Sequence, residues 1–243
     1  MIELDFHNNK YEHELQKLPT DIFTYRVNVF PHFENLIGTK ITGNVLDLGC
    51  GNGYAGIWMA QNRKVSNVTC LDASKIAIKK LVPRNAKYFK VEETITPVLG
   101  DFSNIGDTPI YDFIVAFGSL HHSPCLYTTL NSISKSLKPD GYLIAHEPCM
   151  PNTTKHNTYI KKYNDIEKRF GLVFRHGDRY DRFHREAEYI CAGIMNGFDL
   201  IASEIFPPNQ SVDINPTSKI FYFQKKVLHY IPHIWKPLKN YFS

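Results

Sequence analysis

The feature that most limits what this chain can become is the run Val45-Leu46-Asp47-Leu48-Gly49-Cys50-Gly51-Asn52-Gly53-Tyr54. An apolar stretch that stops at Leu48 and meets alternating glycines reads as a strand turning sharply into a helix. Glycine there tolerates left-handed backbone and lets a ligand approach the main chain closely. The helix start, over about 54–62, is expected to present free N–H groups to whatever occupies the turn.

The surrounding sequence supplies the neighbours such a strand needs. Short apolar, β-branched runs at 44–48, 67–71, 96–99, 113–117 and 142–146 alternate with helical stretches, the pattern of a parallel sheet covered on both faces. Two more runs, 199–206 and 219–224, are separated by a Pro- and Asn-rich stretch with no room for a helix, so they read as an antiparallel hairpin. Ahead of the first strand, Asp21 is expected to cap a helix running to about Leu36, divided by Pro31 and stopped by Gly38. The hydrophobic share, 43% of 243 residues, is enough for a full core, and no apolar run approaches the ~18 residues of a membrane-spanning helix. The five cysteines are scattered and never spaced C-x-x-C, and no basic-then-apolar leader opens the sequence, so a reducing cytoplasm is expected. The net charge of +4 suits an anionic small molecule.

Two more acids sit where the next strands end. Asp72 closes Val68-Thr69-Cys70-Leu71-Asp72, 25 residues after Asp47, where a carboxylate can accept both hydroxyls of a ribose. Asp101, in Val98-Leu99-Gly100-Asp101-Phe102, can accept from an adenine amino group while Phe102 lies against the ring. On these residues the chain resembles the class I S-adenosylmethionine-dependent methyltransferases of the small-molecule, type 11/12-like group. Their first motif, D-x-G-x-G-x-G, is matched by Asp47, Gly49, Gly51 and Gly53, and Leu137-Lys138-Pro139-Asp140-Gly141-Tyr142 matches the turn into the fifth strand.

The resemblance implies an α/β fold: a Rossmann-like, seven-stranded, mostly parallel sheet with helices on both faces and a C-terminal antiparallel hairpin. It implies S-adenosyl-L-methionine as cofactor. Asp47 and the turn with Gly49, Cys50, Gly51, Asn52 and Gly53 would place the methionine end, Asp72 and Ala73 the ribose, and Asp101 with Phe102 the adenine. Phe117 and Gly118 fit the methionine-side loop after strand four. A single domain is expected over 1–243, with a helical lid at 1–42 whose Tyr25 and Arg26 either fold over the cofactor or serve a structural role. A cofactor-binding core at 43–150 follows, then a polar insertion covering the acceptor at 151–198. The terminal hairpin at 199–225 and a basic, aromatic tail at 226–243 complete it. Packing of the tail against the domain is favoured over contact with a membrane surface, because Pro232 and Pro237 interrupt any long amphipathic helix.

A rival reading takes Gly51-Asn52-Gly53-Tyr54-Ala55-Gly56 as a dinucleotide fingerprint. Against it, the turn begins at Gly49, Asp47 would repel a pyrophosphate, and the terminal hairpin belongs to the methyltransferase arrangement. Among methyltransferase acceptors, nucleic acid and protein arginine are disfavoured. The segment Ala116-Phe117-Gly118-Ser119-Leu120-His121-His122-Ser123-Pro124 carries neither an N/D-P-P-Y/F motif nor a pair of loop glutamates. His121 and His122 are candidate catalytic bases, or loop scaffolding, with no means of choosing between the two. Adjacent histidines without further ligands do not make a metal site. Glu147, after His146, is either a base or substrate hook or a plain strand end. The run from Arg175 to Arg185 holds four arginines and two histidines. Arg179, Arg182 and His184 can hold an anionic or polyhydroxylated acceptor, or can pair with Asp178, Asp181 and Glu186 on a solvated face. The reading reached is O-methylation of a phosphorylated or nucleotide-linked sugar, a glycan-biosynthesis intermediate or a carboxylate. An N-methyltransferase and a cofactor-binding scaffold without turnover are the alternatives.

Overall fold

The computed structural model describes residues 2–150, 183–208 and 217–226. In chain order these form α1 (Ile2–Leu15), α2 (Val29–Ile37), β1 (Gly43–Leu48), α3 (Tyr54–Asn62) and β2 (Val65–Asp72). Next come α4 (Val82–Tyr88, entered through a wide turn at Ala77–Leu81), β3 (Ile95–Leu99), β4 (Tyr111–Phe117), α5 (Leu126–Ser136) and β5 (Leu137–Cys149). The chain closes with α6 (Glu186–Met195), β6 (Phe198–Ile205) and β7 (Thr217–Lys225).

The seven strands lie in the order β3-β2-β1-β4-β5-β7-β6. Five are parallel, and β7 runs antiparallel to both β5 and β6, so the expected mixed sheet with a terminal hairpin is the observed one. Strand order reverses between β1 and β4, and the crevice beyond the carboxyl ends at such a switch point is where open α/β sheets take their ligands. Alternation along the strands sorts the core into two layers. Val45, Val115, Ile144 and Tyr222 face α2 and α3, with Phe30, Phe33, Ile57 and Met59 buried against them. Leu46, Ile114, Leu143 and Phe221 face α5 and α6, with Leu130, Ile133 and Tyr189.

The lead-in differs from the expectation. Asp21 ends a short turn at Pro19–Asp21 and does not cap α2, which starts only at Val29 behind Asn28. Pro31 therefore falls in the first turn of α2, where a missing N–H breaks no helical bond, and it divides nothing. Gly38 ends the helix as expected, at φ 68°. No helix among the described residues is long and apolar enough to cross a membrane.

Candidate functional site

The turn after β1 is held by its own backbone. The N–H groups of Gly49 and Cys50 donate to the Leu71 carbonyl at 2.8 and 3.1 Å, and that of Gly53 donates to Cys50 at 2.9 Å. Gly51 N–H donates to Asp72 Oδ2 at 2.9 Å, Tyr54 N–H to Asn52 Oδ1 at 3.2 Å, and Gly56 N–H to Asp47 Oδ2 at 2.9 Å. Several of the N–H groups expected to be free, those of Gly51, Gly53, Tyr54 and Gly56, are thus consumed internally. That thins the bank of amides on which a pyrophosphate would rest. Two glycines are required by contact. Gly49 has φ +70° and its Cβ would collide with Ser119, while a Cβ on Gly56 would come within 2.9 Å of Cys70 Sγ and Val68. Gly49→Ala is expected to lower stability by about 2–4 kcal/mol, read as a drop in the thermal midpoint, because strain and overlap add.

Asp47, 2% exposed, lies beneath this turn at the end of β1. Asp72 stands at the tip of β2, partly buried. It accepts from Gly51 and from Ser74 N–H at 2.8 Å, and each oxygen keeps a second lone pair for a ligand. Asp101 is exposed beyond β3 in a tight turn with Asn104, and Phe102 packs at its side against the core. Ala73 is exposed, and Cys50 is buried with its thiol pushed far up by burial, so it joins the site through its main chain only. Asn52 is tied down on three sides, by Tyr54 N–H, by Glu14 Oε2 at 3.1 Å and by Asn85 donating to its carbonyl at 2.9 Å. The acids read from the sequence therefore do line one edge of the sheet.

At the ends of β4 and β5 the pleat separates neighbours. Glu147 points to the α5 side and is fully buried, accepting from the N–H groups of Ser119 (3.0 Å), Leu120 (2.8 Å) and His121 (3.4 Å) and bonding His121 Nδ1 at 2.7 Å. Both its oxygens are engaged in holding the loop after β4. The two histidines are placed differently. His121 is buried on Glu147, whereas His122 is half-buried and close enough to Asp72 to lower its pKa against the larger effect of burial. His146 points to the other face, 1% exposed, ringed by Phe117, Tyr25 and Phe206 at 6.1, 6.4 and 6.0 Å.

The amino-terminal segment closes over this edge. Arg26 is half-buried beside Tyr54 and Tyr25, which offset the cost of burying its charge, and its Nη1 comes 3.4 Å from where a Cβ on Gly118 would lie. The helical segment expected over 1–42 contains α1, whose contact residues the sequence did not single out. Asn8 accepts from Ser74 Oγ at 2.6 Å, Glu14 accepts from Asn52, and the Tyr11 hydroxyl comes 3.1 Å from where a Cβ on Gly51 would lie. Burial and then Asp72 push the Tyr11 hydroxyl well above its ordinary pKa. Arg179 and Arg182, with most of the charged run, lie outside the described residues, as does the tail beyond Lys226. His184 is half-buried, its carbonyl accepting from Met150 N–H at 3.0 Å and its ring edge-on to Tyr189 at 5.3 Å.

Comparison with known proteins bears on the same residues. A family model described as a methyltransferase domain matches residues 11–184. The malonyl-acyl-carrier-protein O-methyltransferase of Priestia megaterium is 27% identical over 100 residues, 41% of this chain. The chain spans about a third of the length of the curated relatives it matches, 35% and 29%. The cyclase SpnF superposes with a TM-score of 0.68 at 13% identity, covering 93% of this chain and 95% of that one. The geranyl diphosphate C-methyltransferase of Streptomyces coelicolor, solved with Mg2+, geranyl-S-thiolodiphosphate and S-adenosyl-L-homocysteine, superposes with a TM-score of 0.61. Its identity is 12%, covering 82% and 75% of the two chains.

Proposed function

Since the chain belongs to the methyltransferase-domain family, we propose that it is a class I S-adenosylmethionine-dependent methyltransferase and that it methylates an oxygen of a small polar or anionic acceptor. The observation that carries the site assignment is the row of carboxylates Asp47, Asp72 and Asp101 at the ends of three adjacent parallel strands, around a turn braced by the first two of them.

The polar groups present suit that cofactor. Its methionine end is a zwitterion, and the crevice offers it one buried carboxylate, Asp47, and one half-buried guanidinium, Arg26. The Ser119 hydroxyl, buried in the loop after β4, has no hydrogen-bond partner among the described residues. In this reading Asp47 takes the ammonium, Arg26 the carboxylate, Asp72 the ribose hydroxyls, and Asp101 with Phe102 the adenine. Cys50, Asn52, Gly53, Phe117, Gly118 and Ala73 supply the walls. Tyr11 and α1, joined to Asn52 and Ser74, keep water from the turn, and His122 lies on the cofactor side of its pair. Bound there, the cofactor supplies an electrophilic methyl carbon on a sulfonium sulfur. The protein's main task is then alignment of the acceptor oxygen, the term that dominates a direct displacement.

The acceptor class rests on Arg179, Arg182 and His184 in the run before α6, whose guanidinium forks suit phosphate or carboxylate. A phosphorylated or nucleotide-linked sugar satisfies both that charge and the need for a hydroxyl. The five free cysteines accord with a cytoplasmic setting.

Calorimetry with S-adenosylhomocysteine tests the cofactor assignment. Asp72→Ala is expected to weaken binding about 10–100-fold, the worth of one or two hydrogen bonds to a charged group. Unchanged affinity would remove Asp72 from the ribose. Formation of S-adenosylhomocysteine with UDP-glucose or glucose 6-phosphate tests the acceptor class.

A further inference from the structure

His146 is held in a single tautomer by its neighbours. Its Nε2 lies 3.3 Å from the Phe206 carbonyl oxygen, which can only accept, so Nε2 carries the ring proton. Nδ1 is then a lone pair, fully buried and without a hydrogen-bond partner among the described residues. Burial first, and the nearby Arg26 charge second, lower the ring's pKa to about 4, Glu147 opposing only weakly, so the imidazole is neutral at physiological pH. An orphaned acceptor of this kind costs stability unless something donates to it.

The place is specific. Gly118 N–H donates to the His146 carbonyl at 2.7 Å, which puts the ring one strand from the loop assigned to the methionine side and two from the β1 turn. Tyr25, 47% exposed, stacks on Phe206 at 5.8 Å, and this pair covers the ring from the solvent side.

We propose that His146 is the residue that receives the acceptor's hydroxyl, its Nδ1 taking the hydrogen bond and then the proton of the group being methylated, once Tyr25 and Phe206 part to admit it. The inference rests on the methyl-transfer reading above. The acceptor oxygen bonds the methyl carbon while the carbon–sulfur bond breaks, its electron pair going to sulfur. The oxygen's proton passes to Nδ1 and from there to solvent. A protonated ether is a far stronger acid than an imidazolium, so even this weakly basic ring takes the proton downhill. The same weak basicity keeps the lone pair available across the physiological range.

The test combines stability, kinetics and nitrogen NMR on the full chain. His146→Phe removes the orphan and fills the aromatic cluster, so its thermal midpoint is expected to rise by several degrees. S-adenosylhomocysteine formation with UDP-glucose or glucose 6-phosphate should fall about a hundredfold, with S-adenosylhomocysteine affinity unchanged. His146→Asn, whose amide oxygen overlies Nδ1 and can take the hydrogen bond but not the proton, should recover only part of the turnover lost in the Phe variant, and His146→Gln, which reaches the Nε2 position instead, should recover none. In 15N-histidine spectra Nδ1 should resonate as an unprotonated nitrogen from about pH 5 to pH 9, and shift when the productive acceptor is added. A Phe variant less stable than wild type, turnover retained within about threefold, or a proton found on Nδ1 would each overturn the proposal. If the wild-type protein uses neither sugar compound, the acceptor class above fails, while the tautomer and the sign of the Phe variant's stability change still decide the role of His146.

Discussion

Glu147→Ala is expected to lower the unfolding free energy by about 3–5 kcal/mol, because it strips a fully buried carboxylate from the donors that surround it. The N–H groups of Ser119, Leu120 and His121 and the ring of His121 would all lose their acceptor together. Water cannot replace it there, since Leu120 and His121 are buried too. Glu147→Gln keeps the shape but turns an NH2 towards donors, so a loss of about half that size is expected. The pH dependence has a definite sign. Burial alone would raise the Glu147 pKa, but the His121 ring and the loop amides outweigh it, and the carboxyl lies below its ordinary value of 4.5. A depressed carboxyl pKa stabilises the fold above the unfolded-state value, and that contribution is lost as pH falls through the folded-state value. Urea unfolding should therefore show a wide gap between wild type and Glu147→Gln at neutral pH, closing in acid below pH 4.5. A gap independent of pH would mean that the carboxylate's charge contributes nothing to holding the loop.

How much of this was legible beforehand depended on whether the information was local. Strand positions and the acids near their tips could be read directly, since Asp47, Asp72 and Asp101 each lie within two residues of the end of an apolar run that forms a strand. The roles of His121, His122, His146 and Glu147 could not. Adjacent residues on one strand face opposite layers, and which layer holds the loop after β4 is settled by a contact 26 residues away in sequence, between His121 and Glu147. The fate of the helix-start amides was hidden for a related reason, because the Asp72 side chain that consumes Gly51 N–H belongs to the next strand. Tyr11, Asn8 and Glu14 gave no signal, since α1 is a polar helix that meets the turn through hydrogen bonds and offers no apolar face to recognise. The Asp21 cap failed because Thr24 and the short turn at Tyr25–Asn28 take over the entry to α2, the Thr24 hydroxyl accepting from Arg26 N–H at 3.3 Å.

Affinity for S-adenosylhomocysteine is expected to weaken about tenfold for each pH unit below 7 in the wild-type protein, and to lose that dependence in Asp47→Asn. Asp47 is buried at the end of β1 with one hydrogen bond, from Gly56 N–H. Burial raises its pKa from 3.8 to about 7, the Gly56 bond pulling it back and Asp72 adding to the rise. An acid with a raised folded-state pKa binds more protons folded than unfolded between those two values. The free protein therefore loses stability as pH climbs from about 4 to about 7, by something like 4 kcal/mol in all. Asp47→Asn removes the titration and keeps an oxygen for Gly56, so the ligand-free variant should melt higher than wild type at pH above 7. The ligand reverses the balance. An ammonium group beside Asp47 requires the ionised carboxylate, so binding below pH 7 must expel a proton. Calorimetry in buffers of different ionisation enthalpy should count nearly one proton released at about pH 6, and almost none well above 7. At the higher pH the Asn variant should bind about 30–100-fold more weakly, since it offers a dipole where the ligand presents a charge. A variant that is more stable yet binds less well is the mark of a carboxylate kept buried for its ligand. Equal affinity for the two proteins, or a wild-type affinity that stays flat from about pH 5.5 to pH 8, would take Asp47 out of the methionine site and leave it as a prop for the start of α3.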